Sequence, residues 1–396
     1  MKIEKTMMHR QKLVLIIIVV SQFCCTSLWF AGNGILTDLV LNFNLSEGAL
    51  GYLTSAIQFG FISGTLVFAA LTIADRFSPS KVFFISAFLA AALNLGLIWG
   101  SNSMLSLILF RFVTGFFLAG IYPIGMKIAA DYFEKGLGRS LGFLVGALVL
   151  GTAFPHFLKG SSIGFSWEII VYITSGLALL GGLLMLVLVP DGPYRNASST
   201  LNLSAFISVF KNRDFRSAAF GYFGHMWELY AFWAFVPIML QTYVSLNSDI
   251  PINIPLYSFL IISSGSLACV LSGYLSQKFG VKQIALIALS LSGLCCLLSP
   301  LLFMTDSLEL FMVFLLFWGM VVIADSPMFS ALVAQNTTGR LKGTALTIVN
   351  CIGFGITIIS IQVLSFLSSS SNSIYIYTVL AVGPLLGIIY LLKNKA

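Results

Sequence analysis

Residues 111–142 read RFVTGFFLAGIYPIGMKIAADYFEKGLGRSLG, and this stretch decides the fold. An arginine opens an apolar run, Gly115, Gly120, Pro123 and Gly125 punctuate it, and Lys127, Asp131, Glu134, Lys135 and Arg139 end it in a charged turn. About twenty apolar residues cross a bilayer, so the run reads as one membrane helix. A permanent cation in hydrocarbon costs about 3 kcal/mol on insertion scales and is seldom placed there without a task. Arg111 is therefore the first candidate functional residue.

The pattern extends along the whole chain. Hydrophobic residues make up 58% and charged residues 9%, against about 25% charged in a soluble domain. That composition predicts an all-α, multi-pass membrane protein. Twelve apolar runs can be drawn, at residues 13–38, 47–73, 81–100, 103–129, 139–160, 167–190, 216–244, 254–276, 281–304, 308–334, 342–368 and 372–392. With the N-terminus inside, 19 of the 21 Lys and Arg residues fall in cytoplasmic segments, the exceptions being Arg111 and Lys159. Cytoplasmic loops retain basic residues, and a wrong span count would scatter them over both faces. Both termini are therefore expected in the cytoplasm, and the net charge of +7 belongs to topology rather than to nucleic acid. The basic start, Lys2, Lys5, Arg10 and Lys12, precedes an apolar run too long for a signal peptide, which predicts an uncleaved first span.

Six cysteines, Cys24, Cys25, Cys269, Cys295, Cys296 and Cys351, lie in apolar runs without metal-ligand spacing and read as small core hydrophobes. No metal site, disulfide framework or cofactor is expected. No Walker sequence appears, so ATP is not the direct driving force.

Only one break is long. It divides the chain into residues 1–190, a cytoplasmic linker at 191–215, and residues 216–396. The two parts echo each other: LTIADRFSPSK begins at Leu71 and GYLSQKFGVK at Gly273, while Pro123 and Pro327 are separated by 204 residues, nearly the same offset. A shared offset is what a duplicated six-helix half leaves behind.

On these residues the chain resembles the major facilitator superfamily. The family's loop signature, roughly G-x-L-A-D-R-x-G-R-R, is matched by Ile73, Ala74, Asp75, Arg76 and Phe77, with Leu71 in place of the first glycine and Ser78, Pro79 and Ser80 in place of its end. The second copy keeps Gly273, Leu275, Lys278, Phe279 and Gly280, with Gln277 where the aspartate stood. Arg111 and Gly115 carry the fourth-helix pattern R-x-x-x-G; the antiporter pattern of the fifth helix is only suggested, by Gly142, Gly146, Gly151 and Pro155. The resemblance implies two six-helix bundles related by a pseudo-two-fold axis. It also implies that Asp75 meets the start of the eleventh helix when the cavity faces outward, where the dipole at Lys342 and Gly343 favours a carboxylate. Arg76 pairing with Asp131 would complete a cytoplasmic gate with Arg139, although two solvated loop charges explain the same residues.

The resemblance further implies that the first, fourth, seventh and tenth helices line a central cavity, while the third, sixth, ninth and twelfth face lipid. The interiors of the latter four contain no Asp, Glu, Lys, Arg or His. Arg111 falls in the fourth, His225 and Glu228 in the seventh, and Asp325 in the tenth. At 1.5 Å per residue, Arg111 and Glu228 lie near mid-membrane, and His225 and Glu228 share a helix face with Tyr222 and Phe232. A carboxylate and an imidazole on one wall can exchange protons near neutral pH, so Glu228 is the candidate proton-coupling residue, tuned by His225; a hydrogen-bonded helix contact is the plainer reading.

Arg111 has three readings: a ligand for an anionic substrate group, a counter-ion to Glu228 or Asp325, or a stiffener of the fourth helix that hydrogen-bonds carbonyls. Asp325, before Ser326 and Pro327, either caps a broken helix or binds substrate or a proton. Trp29, Asn33, Gln58, Tyr122, Tyr222, Trp227, Trp233 and Asn350 are expected to line the cavity, though membrane aromatics more often pack or anchor. His156 and Lys159 mark the outer mouth, where Lys159 either attracts anions or snorkels. Glycines at 60, 64, 142, 146, 265, 273, 353 and 355 are expected to let the halves approach closely.

The expected function is secondary transport of a small solute by alternating access, with an organic anion or zwitterion favoured and a proton gradient as the drive. A proton-driven multidrug or metabolite exporter is the alternative, and a transporter-like sensor or membrane enzyme a distant one. A monomer in a bacterial inner membrane is expected.

Overall fold

The computed structural model describes residues 2–46, 48–133, 137–195, 209–247, 251–337, 341–370 and 374–393, without the side chains of residues 2–11, 137–139 and 342. Among the described residues there is helix and no strand. Eleven helices among the described residues are long and apolar enough to cross a membrane, and the apolar part of the first, Lys12–Thr26, supplies a twelfth segment.

The first span runs Lys2–Thr26, breaks, and resumes as Ala31–Gly34 and Leu36–Phe43. The second is Ala49–Ala70, followed by the short loop helix Ile73–Arg76. Pro79–Asn94, extended by the 3-10 turn Leu95–Ile98, forms the third; Met104–Leu118 and Tyr122–Tyr132 form the fourth. The fifth and sixth are Leu137–Gly160 and Trp167–Leu188. The seventh, Arg213–Leu246, is unbroken despite Pro237 and starts three residues before the expected boundary. Ile254–Phe279 and Val281–Phe303 are the eighth and ninth, Leu308–Ala324 with Ser326–Gln335 the tenth, Lys342–Ser370 the eleventh, and Ile374–Ala381 with Val382–Lys393 the twelfth.

The breaks in the fourth and tenth spans fall at equivalent places because each second segment opens with proline in its first turn, Tyr122–Pro123 and Ser326–Pro327. Proline lacks the N–H and clashes with the preceding turn, which ends the upper segment. The duplication also reaches the packing. A methyl group on Gly115 would lie 2.1 Å from the Ile57 carbonyl oxygen, and one on Gly319 would lie 2.2 Å from that of Ile261. These pairs are related by the same 204 residues, so the second and fourth spans meet as the eighth and tenth do. Backbone cannot retreat as a flexible side chain can. Gly115→Ala and Gly319→Ala should each cost about 2 kcal/mol of overpacking, read as lowered thermal stability in detergent.

The seams between the halves use fewer glycines than the sequence suggests. Gly142 and Gly146 of the fifth span do face the eighth, beside the carbonyls of Cys269 and Ser266. Gly60 and Gly64, however, face the fourth span at Phe112 and Phe116, and Gly265 faces the tenth, so these tighten each half internally. At the outer end Gln362 donates to Ser55 at 2.8 Å and Asn253 donates to the Gly160 carbonyl at 2.7 Å. Those two bonds tie the eleventh span to the second and the start of the eighth to the fifth.

Candidate functional site

The break in the first span, at residues 27–30, frees backbone carbonyls in the middle of the membrane, where no water is at hand to satisfy them. Arg111 answers that need. It is 1% exposed, and its guanidinium donates through Nη1 to the Leu28 carbonyl at 3.0 Å and through Nη2 to that of Trp29. Its Nε lies against Gly32 and has no partner among the described residues. Among the described residues Arg111 meets no carboxylate, so it is not the counter-ion of Glu228 or Asp325 here. The carbonyls it holds belong to the first helix rather than to its own.

The 204-residue offset puts Leu315 where Arg111 would stand in the second half, and there the corresponding helix, the seventh, is continuous. Break and arginine occur together.

The backbone that Arg111 pins carries Trp29 and Phe30 into an aromatic cluster across the halves. Trp29 stacks on Tyr230 at 5.8 Å and on Phe354 at 5.7 Å between centroids, and packs on Phe61 at 4.9 Å. Phe30 meets Trp233 edge-on at 6.3 Å, and Trp233 meets Tyr230 at 5.2 Å. All six rings are buried. Phe30, Phe61, Tyr230 and Phe354 were not distinguished in the sequence from the other aromatics of these helices.

His225 and Asp325 form the second feature. Nδ1 of His225 lies 2.7 Å from Oδ1 of Asp325 at ion-pair distance, though off the line of a hydrogen bond, and neither residue is more than 1% exposed. Asp325 opens the lower segment of the tenth span but makes no side-chain cap, which removes the helix-capping reading. His225 Nε2 and Asp325 Oδ2 have no partner among the described residues.

Glu228 is turned from the centre into its own half. Oε1 accepts from Trp318 Nε1 at 2.7 Å and from Cys296 Sγ at 3.3 Å, and Oε2 accepts from Ser292 Oγ at 2.9 Å. His225, Glu228 and Phe232 do share a face, and that face meets the tenth span, through Asp325, Trp318 and Phe329. The ninth span, expected against lipid, thus brings two buried polar side chains to Glu228. His225 engages Asp325 and not Glu228.

The remaining lining candidates separate. Gln58 is fully buried with both amide atoms unpartnered among the described residues, as is the indole N–H of Trp233 and of Trp29. Asn33 is half-buried and donates to Thr54 at 2.8 Å. Tyr122 and Asn350 keep partial exposure, and Tyr222 is buried beside His225. Trp227 leaves the centre and donates to the Val379 carbonyl at 3.0 Å. His156 is buried, its Nε2 unpartnered among the described residues, while Lys159 pairs with Asp38 at 2.7 Å and ties the fifth span to the first.

At the basic end, Asp75 pairs with Lys127 at 3.0 Å, and Lys127 lies 3.9 Å from Asp131. The expected Arg76–Asp131 pair does not form: Arg76 donates to Thr72 at 3.0 Å, one turn back on its own loop. The side chains of Arg139 and Lys342 lie outside the described residues. Arg195, within the expected linker, donates to the carbonyls of Asp75 and Phe77 and pairs with Asp191, so residues 189–195 clasp the loop after the second span.

A bundle of twelve helical segments with titratable groups buried inside it defines a multi-pass membrane protein, and the family its sequence belongs to makes it a transporter rather than an enzyme. The chain belongs to the Major Facilitator Superfamily, whose model matches residues 18–361. It is 23% identical over 384 residues to a protein of Cupriavidus necator named probable sulfoacetate transporter, covering 86% of this chain and 84% of that one. An efflux pump of Gibberella moniliformis is 27% identical over 157 residues, which is 38% of this chain and 26% of the pump. In fold the chain is similar to the proton:xylose symporter XylE, with TM-score 0.73 and 13% identity over 97% of this chain and 96% of that one.

Proposed function

We propose that the chain is a proton-coupled secondary transporter of a small organic anion, built as two rocking units, residues 1–190 and 216–396, joined by residues 191–215. The observation that carries the substrate class is a group of buried donors left without partners among the described residues: Arg111 Nε, the Gln58 side-chain NH2 and the indole N–H groups of Trp29 and Trp233. Unpaired buried donors are costly, by about 1–3 kcal/mol each, and a carboxylate or sulfonate accepts from several at once. The C. necator relative is named for a molecule of that kind.

Bonds between the halves at the outer end, together with the partial exposure of Tyr122 and Asn350, support a conformation approached from the cytoplasm. Glu228 is the proposed proton carrier, and the His225–Asp325 pair the element that ties its state to the tenth helix. A monomer in a bacterial cytoplasmic membrane is proposed. Export remains the second reading, on the partial likeness to the fungal efflux pump.

Proteoliposomes holding the purified chain, with an inside-alkaline gradient, should accumulate labelled sulfoacetate or a related short anion and lose the accumulation when the gradient is collapsed. Glu228→Gln should abolish accumulation while leaving exchange of labelled for unlabelled anion within about threefold of the parent, since exchange needs no net proton movement. Cationic compounds moved in place of anions would overturn the substrate class.

A further inference from the structure

The socket around Glu228 contains one group with two places to send its hydrogen. Ser292 Oγ lies 2.9 Å from Glu228 Oε2 and 3.2 Å from the carbonyl oxygen of Leu289 on its own helix. A hydroxyl has a single hydrogen and two lone pairs, so it donates to one of these at a time and can accept a bond while donating to the other. Trp318 can only donate, and it holds Oε1 together with Cys296 whatever happens at Oε2.

We propose that Ser292 is a positioning residue for the coupling proton, its hydroxyl turning between Glu228 Oε2 and the Leu289 carbonyl as the carboxyl loses and gains a proton. The inference rests on the reading of Glu228 as the proton carrier. With Glu228 ionised, Ser292 donates to Oε2. On protonation, a proton from the water-accessible side forms the Oε2–H bond, and that new hydroxyl donates to Ser292 Oγ. The hydrogen of Ser292 stays on its oxygen and rotates to Leu289. Glu228 gains one proton, its negative charge is neutralised, and no other bond to hydrogen is broken. On the return step the Oε2–H bond breaks, the proton leaves to water on the other side, and Ser292 turns back.

Both protonation states are fully hydrogen-bonded in this scheme, without movement of backbone. A fixed donor such as a second tryptophan would have favoured the ionised state alone. Ser299, further along the same helix, bonds only the Cys296 carbonyl among the described residues and shows what a serine without this second partner does.

The groups facing the site from other elements leave the assignment to Ser292. Cys295 and Cys296 come from the ninth span and Asp325 from the tenth, the latter held by His225 of the seventh itself. Cys269 of the eighth lies towards Asp325 and Cys351 of the eleventh towards Tyr222. The twelfth span meets the seventh through Gly383 and Gly387, against Gly224 and Gly221.

The test is infrared difference spectroscopy of the full chain in liposomes, cycled between acidic and alkaline buffer without substrate. The parent should show a protonated-carboxyl band that is lost in Glu228→Gln, displaced to higher frequency in Ser292→Ala, where the acid loses its acceptor, and returned in Ser292→Thr. Ser292→Cys should displace it in the same sense and serves if Ser292→Ala does not fold; Asp325→Asn identifies any band from that residue. A band lost in Glu228→Gln but unmoved in both the alanine and cysteine variants overturns the role of Ser292 and leaves the proton reading standing. A difference spectrum that Glu228→Gln leaves unchanged overturns the proton reading itself.

Discussion

An Arg111→Ala protein loses transport and is destabilised by about 3 kcal/mol, because the Trp29 carbonyl is left without a donor and the Leu28 carbonyl keeps only the long 3.4 Å bond from the Ala31 N–H, at about 1–3 kcal/mol for a buried group left unsatisfied. The carbonyls are those of Leu28 and Trp29, and in hydrocarbon no water takes the place of the guanidinium. Loss of the bonds also frees the segment that inserts Trp29 and Phe30 between Tyr230, Trp233 and Phe354, so the seam between the halves loosens with the helix. Arg111→Lys should fall between, because an ammonium is a compact donor without the planar fork that spans two adjacent carbonyls. The measurement is thermal unfolding in detergent beside anion uptake in proteoliposomes. Stability ranked parent, Lys, Ala supports the structural task. An alanine variant that melts with the parent and loses only uptake would show that the arginine serves the substrate and that the first helix does not depend on it.

The span count and the duplication were legible in the sequence because both are written in one dimension. Basic residues mark one face of the membrane, and Pro123 and Pro327 mark the offset. The same offset relates the close contact of Gly115 with Ile57 to that of Gly319 with Ile261, and Leu315 in the place of Arg111 goes with an unbroken seventh helix. Positions of the buried charges on the fourth, seventh and tenth helices were also legible. Their partners were not, because these depend on how each helix is rotated about its axis. Ser292, Cys296 and Trp318 are ordinary residues of apolar helices until the ninth and tenth spans turn them onto Glu228. The gate residues divide in the same way: Arg76 turns back to Thr72 rather than to Asp131, while the meeting of Asp75 with the eleventh helix is an expectation for the outward-facing state, and in this conformation Asp75 pairs with Lys127.

Removing either member of the His225–Asp325 pair should destabilise the protein by about 3–5 kcal/mol, while removing both should cost far less than the sum. A buried ion pair gains little over a neutral pair of the same shape, because desolvation offsets most of the attraction; breaking it strands one polar or charged group with nothing to answer it. Here the stranded group would be severely placed, since His225 and Asp325 are 1% and 0% exposed and sit between the seventh and tenth helices. Asp325→Asn and His225→Gln measured singly, with His225→Gln/Asp325→Asn as the double variant, form a cycle whose coupling isolates the pair from the packing of each side chain. The expected coupling is at least about 2 kcal/mol in thermal or denaturant unfolding. Additive effects would show that the two residues sit side by side without depending on each other. Uptake separates structure from mechanism in the same variants. If the pair ties the protonation of Glu228 to movement of the tenth helix, the stable double variant still exchanges anion but no longer accumulates it against a gradient; a double variant that accumulates as the parent does confines the pair to holding the lower segment of that helix in place.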